Sequence, residues 1–367
     1  MPHEDGRRPF KPKRPVVHPF GRSSTQSASI ADPPGACMFS PSFPSLRQTA
    51  LAVLVLSGLV AGPAPAQTAS SPTIVSDDIG RFWIAYNRIR YVANPAQRAH
   101  LLDSLYIVPG SPGLKAFLEV KGCTSEKYAD LLQRYPRFWD SMHSRSLSVA
   151  TRMLALTPEL EKFEALYPAI RPAGIYFVVG CMTSGGTTQG DKVLIGTELA
   201  LGDPDVDVSE LPERTRHWLN NYFGTRPADQ LVLLNVHEYV HTQEKGPGPT
   251  LLAQSLYEGA ADFIAERVTG KVPPLPYMNY GPAHLDQVKA AFARDMNQAG
   301  YDGWLYNNAG GSEFGVGDLG YFVGYAICKA YYDRAADKRE AIREIIELDY
   351  TDAEAAKAFL AASGFYR

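Results

Sequence analysis

From residue 76 to about residue 168, apolar residues recur at intervals of three and four. Phe82, Tyr86 and Ile89 make one stripe, Leu114, Phe117 and Leu118 a second, and Tyr128, Leu131 and Leu132 a third. That spacing predicts amphipathic helices, and Pro95, Pro109, Pro112, Pro136 and Pro158 cut the run into short ones. Thr157 and Pro158 read as the N-cap and first residue of a helix that Pro168 ends. At Gly174 the period shortens. Residues 175–179 and 193–196 are β-branched and aromatic runs that predict two strands, with the Ser/Gly/Thr segment 183–188 as a flexible hairpin connection.

Helical spacing returns at 227. One helix is expected from 227–229 to a Lys245-Gly246-Pro247 stop, and another over 250–268 ending at Gly270. After a connection containing Pro273, Pro274 and Pro276, helices are expected over 283–298, 318–335 and 339–348. Thr351-Asp352-Ala353-Glu354 reads as a capping box for a last one. The pattern predicts an α+β fold, predominantly α-helical. A helical N-terminal half, 67–170, packs as one unit with a second half, 171–367, that carries the small β-sheet.

Residues 1–66 do not fit this pattern. Around 47–67 a basic residue, a short apolar run and Ala64-Pro65-Ala66 follow one another, the layout of a secretory signal peptide too short to span a membrane. The expectation is an exported chain, periplasmic or secreted, cut near Ala66, with Met38 as an alternative start and no stable membrane span. This leader holds seven Lys/Arg against three Asp/Glu, which leaves 29 basic and 36 acidic residues for the rest of the chain. That balance does not suit nucleic acid.

Export changes the reading of the cysteines, because disulfides persist outside the cytosol. Cys37 lies in the leader. Cys123 and Cys181, each beside a glycine at an element end, are the expected bridge, and Cys328 in an apolar helical run is an expected buried thiol.

Two of the histidines suggest no chemistry. His100 and His143 have no acidic neighbours at ligand spacing and read as surface or packing residues, and Asp203-Pro204-Asp205-Val206-Asp207 reads as an acidic surface turn. His237, Glu238 and His241 are different. They form H-E-x-x-H on an apolar segment, so both imidazoles fall on one helical face and suit one tetrahedral Zn²⁺ ion, with Glu238 in reach of a water as general base. Glu258 is the expected third ligand, since the sixteen residues between it and His241 allow a second helix to fold back on the first. Asp262, one turn later, is expected to accept a hydrogen bond from a ligand histidine. Asp262 and Glu244 remain alternative third ligands. For the second donor to a developing oxyanion the candidates are Tyr321 and Tyr325, and after them Tyr257, His217 and His284. Strand 175–179 or 193–196 is the expected aligner of an extended peptide.

His237-Glu238-x-x-His241 with Glu258-x-x-x-Asp262 resembles the gluzincins, zinc peptidases of the thermolysin and aminopeptidase type. A longer set adds Ser184-Gly185-Gly186-Thr187, Ile195-Gly196-Thr197-Glu198, Glu258-Gly259-Ala260-Ala261-Asp262 and Gly320-Tyr321-x-x-Gly324-Tyr325. It resembles a bacterial family of zinc-dependent proteases of unknown function related to a gliding-motility lipoprotein. The resemblance implies a zincin-like catalytic half in which His237, His241 and Glu258 are ligands, Glu238 the base and Asp262 a support. The substrate would be a peptide or protein. The interval from His241 to Glu258 is shorter than in thermolysin-like enzymes, which implies a tighter hairpin. The gliding proteins are not all known to be enzymes, so the same motifs also imply an alternative, a non-catalytic zinc-containing envelope protein with a structural or partner-binding role.

Overall fold

A computed structural model describes residues 72–307 and 312–367. The expected leader, with Met38, Cys37 and the Ala66 cleavage position, lies outside the described residues. The first part of the chain runs β1 (Ile74–Val75), α1 (Asp77–Ile89), α2 (Pro95–Leu102), α3 (Pro112–Lys121), α4 (Ser125–Arg134), α5 (Pro136–Leu147), α6 (Val149–Arg152) and α7 (Leu156–Leu166). It continues through β2 (Gly174–Val178), β3 (Gly186–Gln189), β4 (Lys192–Gly196), α8 (Thr197–Ala200), α9 (Glu213–Gly224), α10 (Leu231–His241) and α11 (Leu251–Thr269). Last come α12 (Pro276–Ala283), α13 (Leu285–Asp295), α14 (Leu319–Arg334), α15 (Lys338–Glu347) and α16 (Ala353–Ser363). The fold is α+β and predominantly α-helical, and no described helix is long and apolar enough to cross a membrane.

The helical stripes do what their spacing requires. Phe82, Tyr86 and Ile89 of α1 are buried, as are Leu114, Phe117, Tyr128 and Leu132. Capping is local: Asn94, Ser111 and Thr124 each accept a backbone N–H at the start of a helix. Three expected boundaries move. The helix α7 opens at Leu156 from Ala155, so Thr157 and Pro158 sit inside its first turn, where a missing N–H costs nothing. Asp352 rather than Thr351 caps α16, its carboxylate accepting from Glu354 N. The expected Pro-rich connection contains α12, whose Pro276 occupies the first turn.

The strand order is β1-β2-β4-β3, with β1, β2 and β4 parallel and β3 antiparallel to β4. This corrects the expected hairpin of β2 with β4. The turn is instead at Gly190, φ +57°, and Thr187, Thr188 and Gln189 pair with Leu194, Val193 and Lys192. Threonine's branched Cβ favours the extended backbone. It also corrects the expected peptide aligner, because β2 and β4 are inner strands, whereas β1 and β3 are the edge strands.

Contacts between the two halves are specific. The Tyr106 and Tyr128 hydroxyls both donate to Val179 O, at 2.6 and 2.7 Å, and Tyr167 OH donates to Glu347 Oε1 at 3.1 Å. A disulfide joins Cys123, just past α3, to Cys181, just past β2, and Cys328 is a buried thiol. Sixteen of the nineteen residues of α11 are buried, which makes it the central helix, packed by α10 and α14. Gly259 and Gly324 face each other where α11 and α14 cross, with no room for a Cβ on either.

Candidate metal centre

The segment Leu231–His241 is apolar apart from Asn235, His237, Glu238 and His241, and it packs on α11 and against β3 and β4. Both imidazoles therefore point to α11. The expected helix extends to 245, but α10 stops at His241: Gln243 N bonds Val240 O at 2.7 Å and Thr242 Oγ1 donates to Tyr239 O, so the last turn tightens. The tighter turn carries Glu244 back against His241.

Three donor atoms converge between the helices. The distances are 3.1 Å between His237 Nε2 and His241 Nε2, 3.5 Å from His237 Nε2 to Glu258 Oε2, and 3.4 Å from His241 Nε2 to Glu258 Oε2. A tetrahedral ion with bonds of about 2.0–2.2 Å sets its ligand atoms about 3.3–3.6 Å apart. The group His237, His241 and Glu258 can thus hold a metal ion. The outer imidazole nitrogens are also occupied. His237 Nδ1 is 2.8 Å from Asp262 Oδ1, and Tyr277 OH donates to Asp262 Oδ2 at 2.9 Å. His241 Nδ1 is 2.6 Å from Glu244 Oε2, and the ring stacks on Tyr257 with centroids 4.1 Å apart. Asp262 and Glu244, the alternative ligands, each lie on an outer nitrogen, so each fixes a tautomer instead.

Burial and charge oppose each other here. Burial alone would raise the Glu258 carboxyl, but the two imidazoles outweigh it and hold it well below the usual carboxylate range. Burial alone would lower both histidines, yet Asp262 and Glu258 raise His237 well above its ordinary value, and Glu244 and Glu258 push His241 up to about 9. Glu238 is raised, chiefly by burial, although both imidazoles pull it down. A Cβ built at Gly186 would stand 2.5 Å from Glu238 Oε1, so only glycine lets β3 lie over this carboxylate.

Of the expected oxyanion donors the fold brings two to the group, Tyr257, stacked on His241, and Tyr321. The Tyr321 ring lies 6.4 Å from that of His237, and burial together with Glu258 keeps its phenol protonated well above the ordinary range. Tyr325 is not brought there: one turn further along α14, its hydroxyl donates to Glu266. His217 bonds Asn221 and His284 stacks on Tyr280, each a neighbour on the same stretch of chain.

Four contributors escape the sequence reading. Tyr306 OH donates to Glu258 Oε1 at 2.6 Å, and Tyr277 supports Asp262. Gln254 Nε2 reaches Glu258 Oε1 at 3.3 Å, and its place four residues before Glu258 is a signal that helical spacing offers. Lys121, at the end of α3, is pushed down to about 8 by burial, while Glu238 and Glu258 partly restore its charge. The tyrosines and Lys121 have no sequence spacing to betray them. Comparison with known proteins finds no matching family model, no matching curated protein and no matching solved structure.

Proposed function

We propose that this chain is an exported zinc-dependent peptidase of gluzincin type that hydrolyses peptide bonds in a peptide or protein substrate, with one ion held by His237, His241 and Glu258. The observation that carries the reading is the donor triangle with edges of 3.1, 3.4 and 3.5 Å, near those of a zinc tetrahedron. The imidazole-plus-carboxylate donor set favours zinc over harder cations. Three protein donors leave a corner open, as hydrolytic sites require and structural sites do not. The leader sequence and the Cys123–Cys181 bridge support export.

When bound, zinc supplies a polarised carbonyl and a water of lowered pKa. Everything else is done by side chains and backbone. Glu238, its proton affinity raised by burial, accepts the proton and returns it to the leaving amine. Tyr321, protonated and beside His237, donates to the developing oxyanion. The edge strand β3, directly over Glu238, pairs with an extended substrate.

Glu238→Gln tests the reading. The variant is expected to keep one zinc per chain and to lose about 10²–10⁴-fold in cleavage of a mixed peptide library. Full cleavage by the variant would reject Glu238 as the base. Zinc bound by both proteins with no wild-type cleavage would favour the non-catalytic envelope protein.

A further inference from the structure

The two oxygens of Glu258 have different neighbours. Oε2 faces both imidazole Nε2 atoms, at 3.5 and 3.4 Å. Oε1 accepts from Tyr306 OH at 2.6 Å and from Gln254 Nε2 at 3.3 Å, and Gln254 Nε2 also donates to Tyr306 OH at 2.6 Å. The phenol therefore receives one hydrogen bond and gives one, which fixes its proton toward Glu258.

Tyr306 is held there by unusual backbone. Its φ is +59°, in the left-handed region where a bulky side chain is strained. Such a conformation persists only when neighbours enforce it. They do: Asn307 N donates to Asp318 Oδ1 at 3.0 Å and Asp318 N donates to Asn307 Oδ1 at 2.6 Å, a reciprocal clamp whose second member, Asp318, is itself buried at φ +63°. The Tyr306 ring also meets Tyr321 edge-on, centroids 6.2 Å apart.

We propose that Tyr306 is a positioning residue that sets how Glu258 meets the metal: by occupying Oε1 it leaves Oε2 as the single ligating oxygen, and so keeps a corner of the site open. The proposal rests on the zinc reading above. Without Tyr306, Oε1 keeps only the 3.3 Å bond from Gln254 Nε2, too long to hold it from turning toward the ion, and Glu258 becomes bidentate at the expense of the open corner.

The experiment compares the full chain with Tyr306→Phe, each loaded with zinc and, separately, with cobalt(II). Wild type is expected to show the intense visible bands of four-coordinate cobalt. Tyr306→Phe is expected to bind one metal about 10-fold more weakly, with bands weakened severalfold as coordination number rises. Asn307→Ala, which loosens the clamp without touching the triad, is expected to shift both readouts the same way by less. Unchanged affinity and unchanged cobalt bands in a folded Tyr306→Phe overturn the proposal. If Tyr306→Phe does not fold, an Asn307→Ala protein with wild-type affinity and bands overturns it equally. Failure of wild type to bind either metal instead removes the zinc reading on which the proposal rests, and the proposal with it.

Discussion

Two carboxylates, Glu258 and Glu198, are both penalised by burial and end with opposite acidities. Glu258 lies between two imidazoles and is held well below the usual carboxylate range. Glu198 is 1% exposed, accepts only backbone N–H groups, from Gly180 at 2.7 Å and Met182 at 3.0 Å, and is pushed up to about 7 by burial that those bonds only partly offset. Burial sets the size of the penalty and the partners set its sign. The consequence is functional. Around Glu198 both oxygens are satisfied by backbone N–H groups of the segment after β2, so it fastens that segment. Around Glu258, four carboxylates (Glu238, Glu244, Glu258, Asp262) share two imidazoles, with Lys121 as an outlying cation. Such an excess of buried negative charge favours a divalent ion.

The strongest way to break this contrast acts on the segment that Glu198 fastens. The Cys123–Cys181 bridge spans 58 residues and pins that same segment to α3. Replacing both cysteines by serine is expected to cost about 2–4 kcal/mol of stability. Zinc stoichiometry should stay at one, because the triad comes from α10 and α11. Denaturant unfolding and elemental analysis read the two outcomes, and loss of zinc by a folded variant would show that the two regions are not separable.

Next in size is Glu198 itself. Its folded pKa, about 7, lies above the ordinary 4.5, so its contribution to stability is complete below pH 4.5 and is lost as pH rises through 7. Glu198→Gln does not titrate. Relative to wild type the variant should therefore gain about 2–3 kcal/mol between pH 4.5 and pH 8, measured by urea unfolding at both values. A constant difference would mean that the amides of Gly180 and Met182, and not burial, decide the acidity of Glu198.

Much of the zinc-type site is legible in the sequence because it is built on helical periodicity. His237, Glu238 and His241 follow from one spacing, and Glu258 and Asp262 from another on α11. Periodicity fails where tertiary contacts decide. Tyr321 and Tyr325 are equivalent by spacing, yet one turn of rise carries Tyr325 past the histidines to Glu266. Tyr306 sits in a left-handed conformation enforced by Asp318, twelve residues away, which no local pattern announces. The strand pairing departs from expectation for a related reason. Residues 183–189 are short and rich in Gly and Thr, and only the antiparallel register with β4 makes part of them an edge strand.

The smallest and sharpest effect separates the two histidine supports. Asp262 reaches His237 from the neighbouring helix and has both oxygens engaged, one by His237 and one by Tyr277. Glu244 reaches His241 from the tail of the same helix, and its Oε1 has no hydrogen-bond partner among the described residues. Asp262 therefore couples α10 to α11 across the triad, whereas Glu244 depends on one tightened turn. Removing such a partner weakens metal binding by about 10–100-fold. Asp262→Asn is expected in the upper part of that range and Glu244→Gln near or below its lower end, by zinc competition titration at fixed pH. The two act on different rings of one candidate metal centre, so the double variant should lose less than the product of the single losses. A larger loss for Glu244→Gln would mean that the local turn, and not the tie between helices, governs how the imidazoles are held.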